Sequence, residues 1–221
     1  MAGAFAQHFQ SSQAKNLRAN ENHSEYEKML LLLSRVKKDL KGVHSLRKKN
    51  KIKKSYLKDF KSWLDGAIQG NGVQDEILTQ WFVWLLDIEE FQLVESIATY
   101  CIKYELALPL EFNRTLPTFY IDTLAEIAKV KRLLGKPLPL KILKTAAKLT
   151  VKSDIPEMAL AKLWREIGLR QAKRGSACAI QSLRKALELN INCGAKTTYN
   201  QLLKKQQNPQ PKRGKTGQGK A

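Results

Sequence analysis

The chain has 221 residues, 39 Lys and Arg against 20 Asp and Glu, a net charge of +19 and an apolar fraction of 43%. The charge exceeds what solubility asks of a small protein and points to a polyanionic partner, while the apolar content suffices for the core of one domain or two. No apolar run nears the roughly 20 residues of a membrane span, and the opening "MAGAFAQHFQSSQ" lacks the basic-then-apolar order of a secretory signal, so no membrane partner is expected.

Residues 1–24 carry almost no net charge and are expected to be flexible. "SEYE" at 24–27 is a capping box, with Ser24 as N-cap and Glu27 three residues on. A heptad follows: Tyr26, Met29, Leu33, Val36, Leu40 and Val43 fall at its a and d positions. Three heptads suit either a seam within the chain or a short coiled coil between chains. In the next stretch, "LRKKNKIKK" at 46–54, six of nine residues are Lys or Arg. Tyr56, Leu57, Phe60, Trp63, Leu64, Ala67 and Ile68 then repeat at helical spacing, giving a second helix up to "GNG" at 70–72. Residues 25–69 are thus a basic helical arm with a net charge of +8.

Residues 70–110 reverse the sign, to −6. Within them "ILTQWFVWLL" (77–86) is apolar nearly all round, which predicts a buried helix with Trp81 and Trp84 as core aromatics. Antiparallel helical hairpins are predicted from there on, over 88–105, 117–134, 140–150, 156–173, 176–190 and 195–206. Pro156 suits a first helical turn, with Asp154 as its cap. Trp164 and Gly168, then Ala179, Leu183 and Ala186, match one tetratricopeptide-like unit with a one-residue slip. No period-two pattern is long enough for a strand. The expected fold is all-α: a basic arm over 25–69, stacked hairpins over 70–206, and a disordered cationic tail over 207–221.

Phosphate contacts are expected from Arg47, Lys48, Lys49, Lys51, Lys53 and Lys54 in the arm and Lys212, Arg213 and Lys215 in the tail. A solvated basic face is the plainer reading of the same run. Metal-dependent cutting of DNA would need convergent carboxylates around Mg²⁺. The candidates are Asp87, Glu89 and Glu90 at one turn, and Asp122 with Glu126 on one helix face. Acids also gather at turns and on exposed faces for capping and dipole reasons. No motif-spaced zinc site or P-loop is present, and the catalytic and metal residues stay unassigned. Cys101, Cys178 and Cys193 read as reduced structural thiols in a reducing compartment.

Several segments taken together sharpen this reading. They are "WLLDIEEFQLVESIATYCIKYELALPLEFNRT", "DIPEMALAKLWREIGLRQA" and "AIQSLRKALELNINCGAKTTYNQLLKK". The shared features are Trp84 with Asp87-Ile88 and Phe91, the "FxRT" of Phe112, Arg114 and Thr115, Asp154-Ile155-Pro156, Ala161-Lys162-Leu163, "LRKALELN", and Cys193-Gly194 with Lys196. Over roughly residues 25 to 205 the chain resembles the small terminase subunit of Peduovirus-type tailed phages, a family often named the endonuclease subunit. It departs from that pattern where Thr123 follows Asp122 in place of a second acid, and at Ala195 and Thr197.

The resemblance implies a genome-packaging role in the host cytoplasm. Such a subunit recognises the cohesive-end packaging site on concatemeric double-stranded phage DNA. It acts with a large ATPase subunit to cut that DNA, and as a homo-oligomer. Three readings stand beside one another on the residues: a DNA-recognition subunit without its own active site, a Mg²⁺-dependent endonuclease, and a tetratricopeptide-like adaptor for an acidic protein. No convincing catalytic constellation supports the second, and the segregated charge favours the first over the third.

Overall fold

The computed structural model of the chain describes residues 24–207. They form nine α-helices with no strand among them, in two compact units that divide between Glu111 and Phe112. None of these helices is long and apolar enough to cross a membrane.

The first unit is built from four helices. In α1 (Glu25–Lys41) the capping box is complete: Ser24 Oγ accepts from the Glu27 amide, and the Glu27 carboxylate accepts from the Ser24 amide at 2.7 Å. The stripe of α1 faces inward, with Leu33, Val36 and Leu40 buried. The heptad is therefore occupied within the chain. At its N-terminal end Tyr26 stays partly exposed and stacks on Trp63 with ring centroids 5.7 Å apart.

A second helix, α2 (Leu46–Ala67), contains the whole basic run, because Ser45 caps it by accepting from the Lys48 amide. Tyr56 donates to Asp39 at 2.7 Å and ties α2 to α1. The apolar α3 (Glu76–Ile88) is enclosed as its composition requires, with Trp81 fully buried and Trp84 nearly so. Its N-cap, Asp75, accepts from the Ile77 and Leu78 amides with one oxygen and from Trp63 Nε1 with the other, which pins the end of α2 to the start of α3.

The next helix, α4 (Phe91–Lys103), begins after the turn at Glu89 and Glu90 where these acids are expected, and the predicted start at residue 88 falls three residues early. Glu89 takes a left-handed φ of 64°, and the Glu89 and Glu90 amides close back onto Leu86 and Leu85. With no Gly or Pro at the stop, the sequence does not mark its exact residue. Gly72 at φ +84° packs its Cα against Tyr104, and a Cβ there would come within 2.3 Å of that ring.

The second unit holds five helices. Thr115 caps α5 (Leu116–Leu133), with Pro117 in its first turn where a missing N–H is harmless. Next come α6 (Leu140–Leu149) and α7 (Glu157–Lys173). Pro156 is itself the N-cap of α7, and no side chain caps that helix; Asp154 does not take the role expected of it.

The hairpin of α7 with α8 (Cys178–Leu189) is closed by Gly168, where a Cβ would stand 2.6 Å from the Leu183 side chain. Ala161, Leu183, Ala186, Cys193 and Ala195 form the core there, with Trp164 and residues of α9 (Lys196–Gln207) packed against it. The Trp164–Gly168 spacing thus reflects one close helix crossing. Cys101 and Cys193 are buried free thiols and Cys178 is exposed; burial pushes the Cys101 thiol up to about 12.

Because Leu33 is 1% exposed inside the first unit, Leu33→Ala is expected to lower stability by about 2–5 kcal/mol in urea unfolding. Loss of self-association with no loss of stability would instead assign the stripe to a seam between chains.

Candidate nucleic-acid interface

The acids come first, because a nuclease would need them free. Asp87 sits one residue before the end of α3. Its carboxylate receives the Lys53 ammonium, and its backbone carbonyl accepts from Asn50 Nδ2 at 2.8 Å. Glu89 and Glu90 form the turn into α4 and do not converge with Asp87 on a common point: among the described residues no group of three or more His, Cys, Asp or Glu is placed to hold a metal.

Lys53 itself departs from expectation. Its place in the basic run groups it with the phosphate-binding cations, but it lies on the inner face of α2 with Phe60 and Leu64, 7% exposed. Its ammonium is 6.0 Å from the centre of the Trp84 ring. Seven residues from Phe60 is two helical turns, so Lys53 falls on the buried stripe, where only pairing with Asp87 makes its charge tolerable.

In the second unit Asp122 and Glu126 do share a face of α5, as their spacing demands, but cations already hold them. Arg114 reaches Asp122 at 2.7 Å and Lys162 reaches it at 2.8 Å. Lys162 also lies 3.3 Å from Glu126, and Lys129 lies 3.5 Å from its other oxygen. Partial burial pushes the Asp122 carboxyl up, but the hydrogen bonds and charges of Lys162 and Arg114 outweigh it and hold the pKa below the ordinary carboxylate value. The hydrogen bond to Asp122 in turn raises Lys162.

The "FxRT" stretch thereby acquires a structural meaning. Phe112 packs edge-on against Phe119 with centroids 5.1 Å apart, Arg114 clamps Asp122, and Thr115 caps the same helix.

A further charged cluster has no signature in the sequence. Glu166, 2% exposed, is held by Arg132 at 2.7 Å and by Arg165 at 2.9 Å, while another Arg165 nitrogen donates to the Cys193 carbonyl at 2.8 Å. Arg132 lies 34 residues away in the chain, so no local pattern could reveal the site.

What remains for a partner is the outer face of α2. Arg47, Lys51, Lys54 and Lys58 follow one another at steps of four, three and four, all exposed, and none pairs with an acid among the described residues. Lys48 is also exposed and Lys49 is half-buried. One turn further on, Lys61 pairs with Asp65 at 3.1 Å and closes the row. A cleft of about 650 Å³ in the same unit is lined by Tyr26, Trp63, Glu25, Asp59 and Asp75, whose carboxylates make it unsuited to phosphate. Lys212, Arg213 and Lys215 lie outside the described residues.

These features define an all-helical, strongly basic protein that commits several of its carboxylates to ion pairs and keeps a row of lysine and arginine in solvent. Comparison with known proteins makes the class specific. The chain belongs to the phage small terminase subunit family, whose model matches residues 30–158. It is 31% identical over 192 residues to the "Terminase, endonuclease subunit" of Escherichia phage P2, covering 85% of this chain and 78% of that protein. No solved structure matches. Its function is that of a small terminase subunit in phage DNA packaging.

A depressed Asp122 pKa stabilises the fold above the unfolded carboxylate's range, about pH 4, and that stabilisation is lost as the pH falls through the lower folded value. Asp122→Asn is therefore expected to lower stability at pH 7 by roughly 1–3 kcal/mol and to flatten the acid limb of a stability-against-pH curve. An unchanged acid limb would remove the clamp from the fold's electrostatics.

Proposed function

We propose that this subunit grips duplex DNA at the cohesive-end packaging site of concatemeric phage DNA. In this reading it works as a homo-oligomer with the large ATPase subunit, in the host cytoplasm. The observation that carries the proposal is the unpaired row Arg47, Lys51, Lys54 and Lys58 on a helix whose opposite face is locked into a core. From Arg47 to Lys58 the helix rises about 16 Å. Duplex DNA presents a phosphate charge for every ~1.7 Å of its axis, so a straight row of four cations can meet several phosphates at once. Such contacts fix position and carry no base sequence. The tail cations Lys212, Arg213 and Lys215 add to the same attraction.

Cutting is assigned to the joint complex with the large subunit. The phage P2 relative is named an endonuclease subunit, which favours a second reading in which this chain cuts DNA with Mg²⁺. Against it, Asp122 and Glu126 are held by Arg114, Lys129 and Lys162, and Asp87 by Lys53. A carboxylate clamped by cations would have to release them before it could ligate a metal. The acidic stretch 70–110, with its net charge of −6, suits docking to a basic partner instead.

Replacing Arg47, Lys51, Lys54 and Lys58 with Gln is expected to weaken binding to all duplex sequences alike. The slope of log affinity against log salt should flatten by up to about 0.9 for each cation that no longer meets a phosphate. Unchanged affinity and slope would leave α2 as a solvated face. The purified subunit with Mg²⁺ or Mn²⁺ is expected to leave DNA uncut, and cutting to begin when the large subunit is added. Metal-dependent cleavage by the subunit alone, abolished by Asp122→Asn, would establish the second reading.

A further inference from the structure

We propose that α6 of the second unit carries a separate phosphate-binding face, built from Lys141, Lys144, Lys148 and Lys152, and that its ligand is duplex DNA. Residues 127–153 contain no Asp or Glu and eight Lys or Arg. Three of the eight are engaged, Lys129 by Glu126, Arg132 by Glu166, and Lys131 in an interaction of its own. The four lysines of the row, with Lys136 before them, have no acidic partner among the described residues.

The geometry of α6 sorts them onto one side. Leu143 and Ala146 are buried, and the three exposed residues of the helix are Lys141, Lys144 and Lys148. Lys152, exposed just beyond the helix, extends the row. The start of α6 strengthens the same field. Pro139 is its N-cap and supplies no side-chain hydrogen bond, and the first turn contains no acid. The positive end of the helix dipole is thus left uncompensated, in a turn that already carries Lys141.

The ligand class follows from what the face lacks. A protein partner is gripped by large apolar or aromatic anchors at the centre of an interface. Between Leu140 and Leu149 the exposed residues are all lysines, the composition that a phosphate backbone requires, and the exposed apolar Leu133, Leu134 and Val151 lie outside the helix. This inference rests on the DNA-binding role proposed above and adds a second contact in the other unit, so that one subunit would hold DNA through both.

The test uses the full chain and a duplex of unrelated sequence. Lys141, Lys144, Lys148 and Lys152 are changed together to Gln, and in a companion protein to Arg. Affinity is measured across a range of salt, with circular dichroism and thermal melting to check the fold. The Gln protein is expected to stay folded and to bind on the order of a hundredfold more weakly at 0.15 M salt, with a salt slope reduced by up to about 0.9 per phosphate no longer neutralised; the Arg protein should bind as the parent does. Unchanged affinity and slope in the Gln protein would overturn the proposal, whatever the α2 variant does. Intact DNA binding with loss of binding to the purified large subunit would also overturn it, making α6 a protein-docking face. A loss in the α6 variant while the α2 variant binds normally would support this face and leave the α2 row without a role. If the Gln protein does not fold, the single changes Lys144→Gln and Lys148→Gln are read in the same way, and no change in either would refute the idea.

Discussion

Charge excess is the constraint on which the structure depends. A chain with 39 cations and 20 acids has few carboxylates with which to neutralise the cations its fold must bring inside. Burying an ammonium or guanidinium alone is prohibitive, while a paired and hydrogen-bonded one is tolerated. The described acids are placed accordingly. Asp87 meets Lys53 against the first core, and Glu166 meets Arg132 and Arg165 in the second unit. Asp122 and Glu126 hold Arg114, Lys129 and Lys162 at the surface of α5. The cations left over are those on outer helix faces, so the basic rows of α2 and α6 follow from how the acids are used.

That placement bears on activity. Of the carboxylates that could be offered to a metal, Asp87, Asp122 and Glu126 hold helices together. Asp122 joins α5 to the Arg114 stretch before it and to Lys162 on α7, and these cations lower its pKa. The family pattern of Phe112, Arg114 and Thr115 can be explained by the start of α5 alone: an aromatic contact, a clamp and a cap. Membership in the small terminase subunit family gives the chain its place in DNA packaging, and the phage P2 relative's name describes that relative.

The two units also divide the electrostatic character of the molecule. In the first, the basic α1 and α2 pack with the acidic α3, so opposite charges occupy one body. In the second, basic residues outnumber acids on most helices, and the cations without acidic partners lie mostly on exposed positions. Packing is carried by small residues where helices cross closely, as at Gly168 and Ala161, and by aromatics around α3.

Much of the fold was legible because its signals are local. Periodicity placed α1 and α3 to α9, the capping box set the start of α1, and the all-round apolar composition of α3 announced its burial. Local rules failed where the deciding contact was distant or the breaker was an ordinary residue. Glu89 ends α3 with no glycine to mark the residue, and Lys53 meets an acid 34 residues away in the chain. The heptad could face a second chain or its own, and only the packing of α2 and α3 against Leu33, Val36 and Leu40 decided it. The sequence by itself determined that the protein is helical, basic and of the small terminase type. Which lysine finds an acid to pair with was decided by tertiary structure alone. Lys53 and Lys54 are neighbours of identical chemistry, and a 100° turn of helix sets one against Asp87 and Trp84 and the other in solvent.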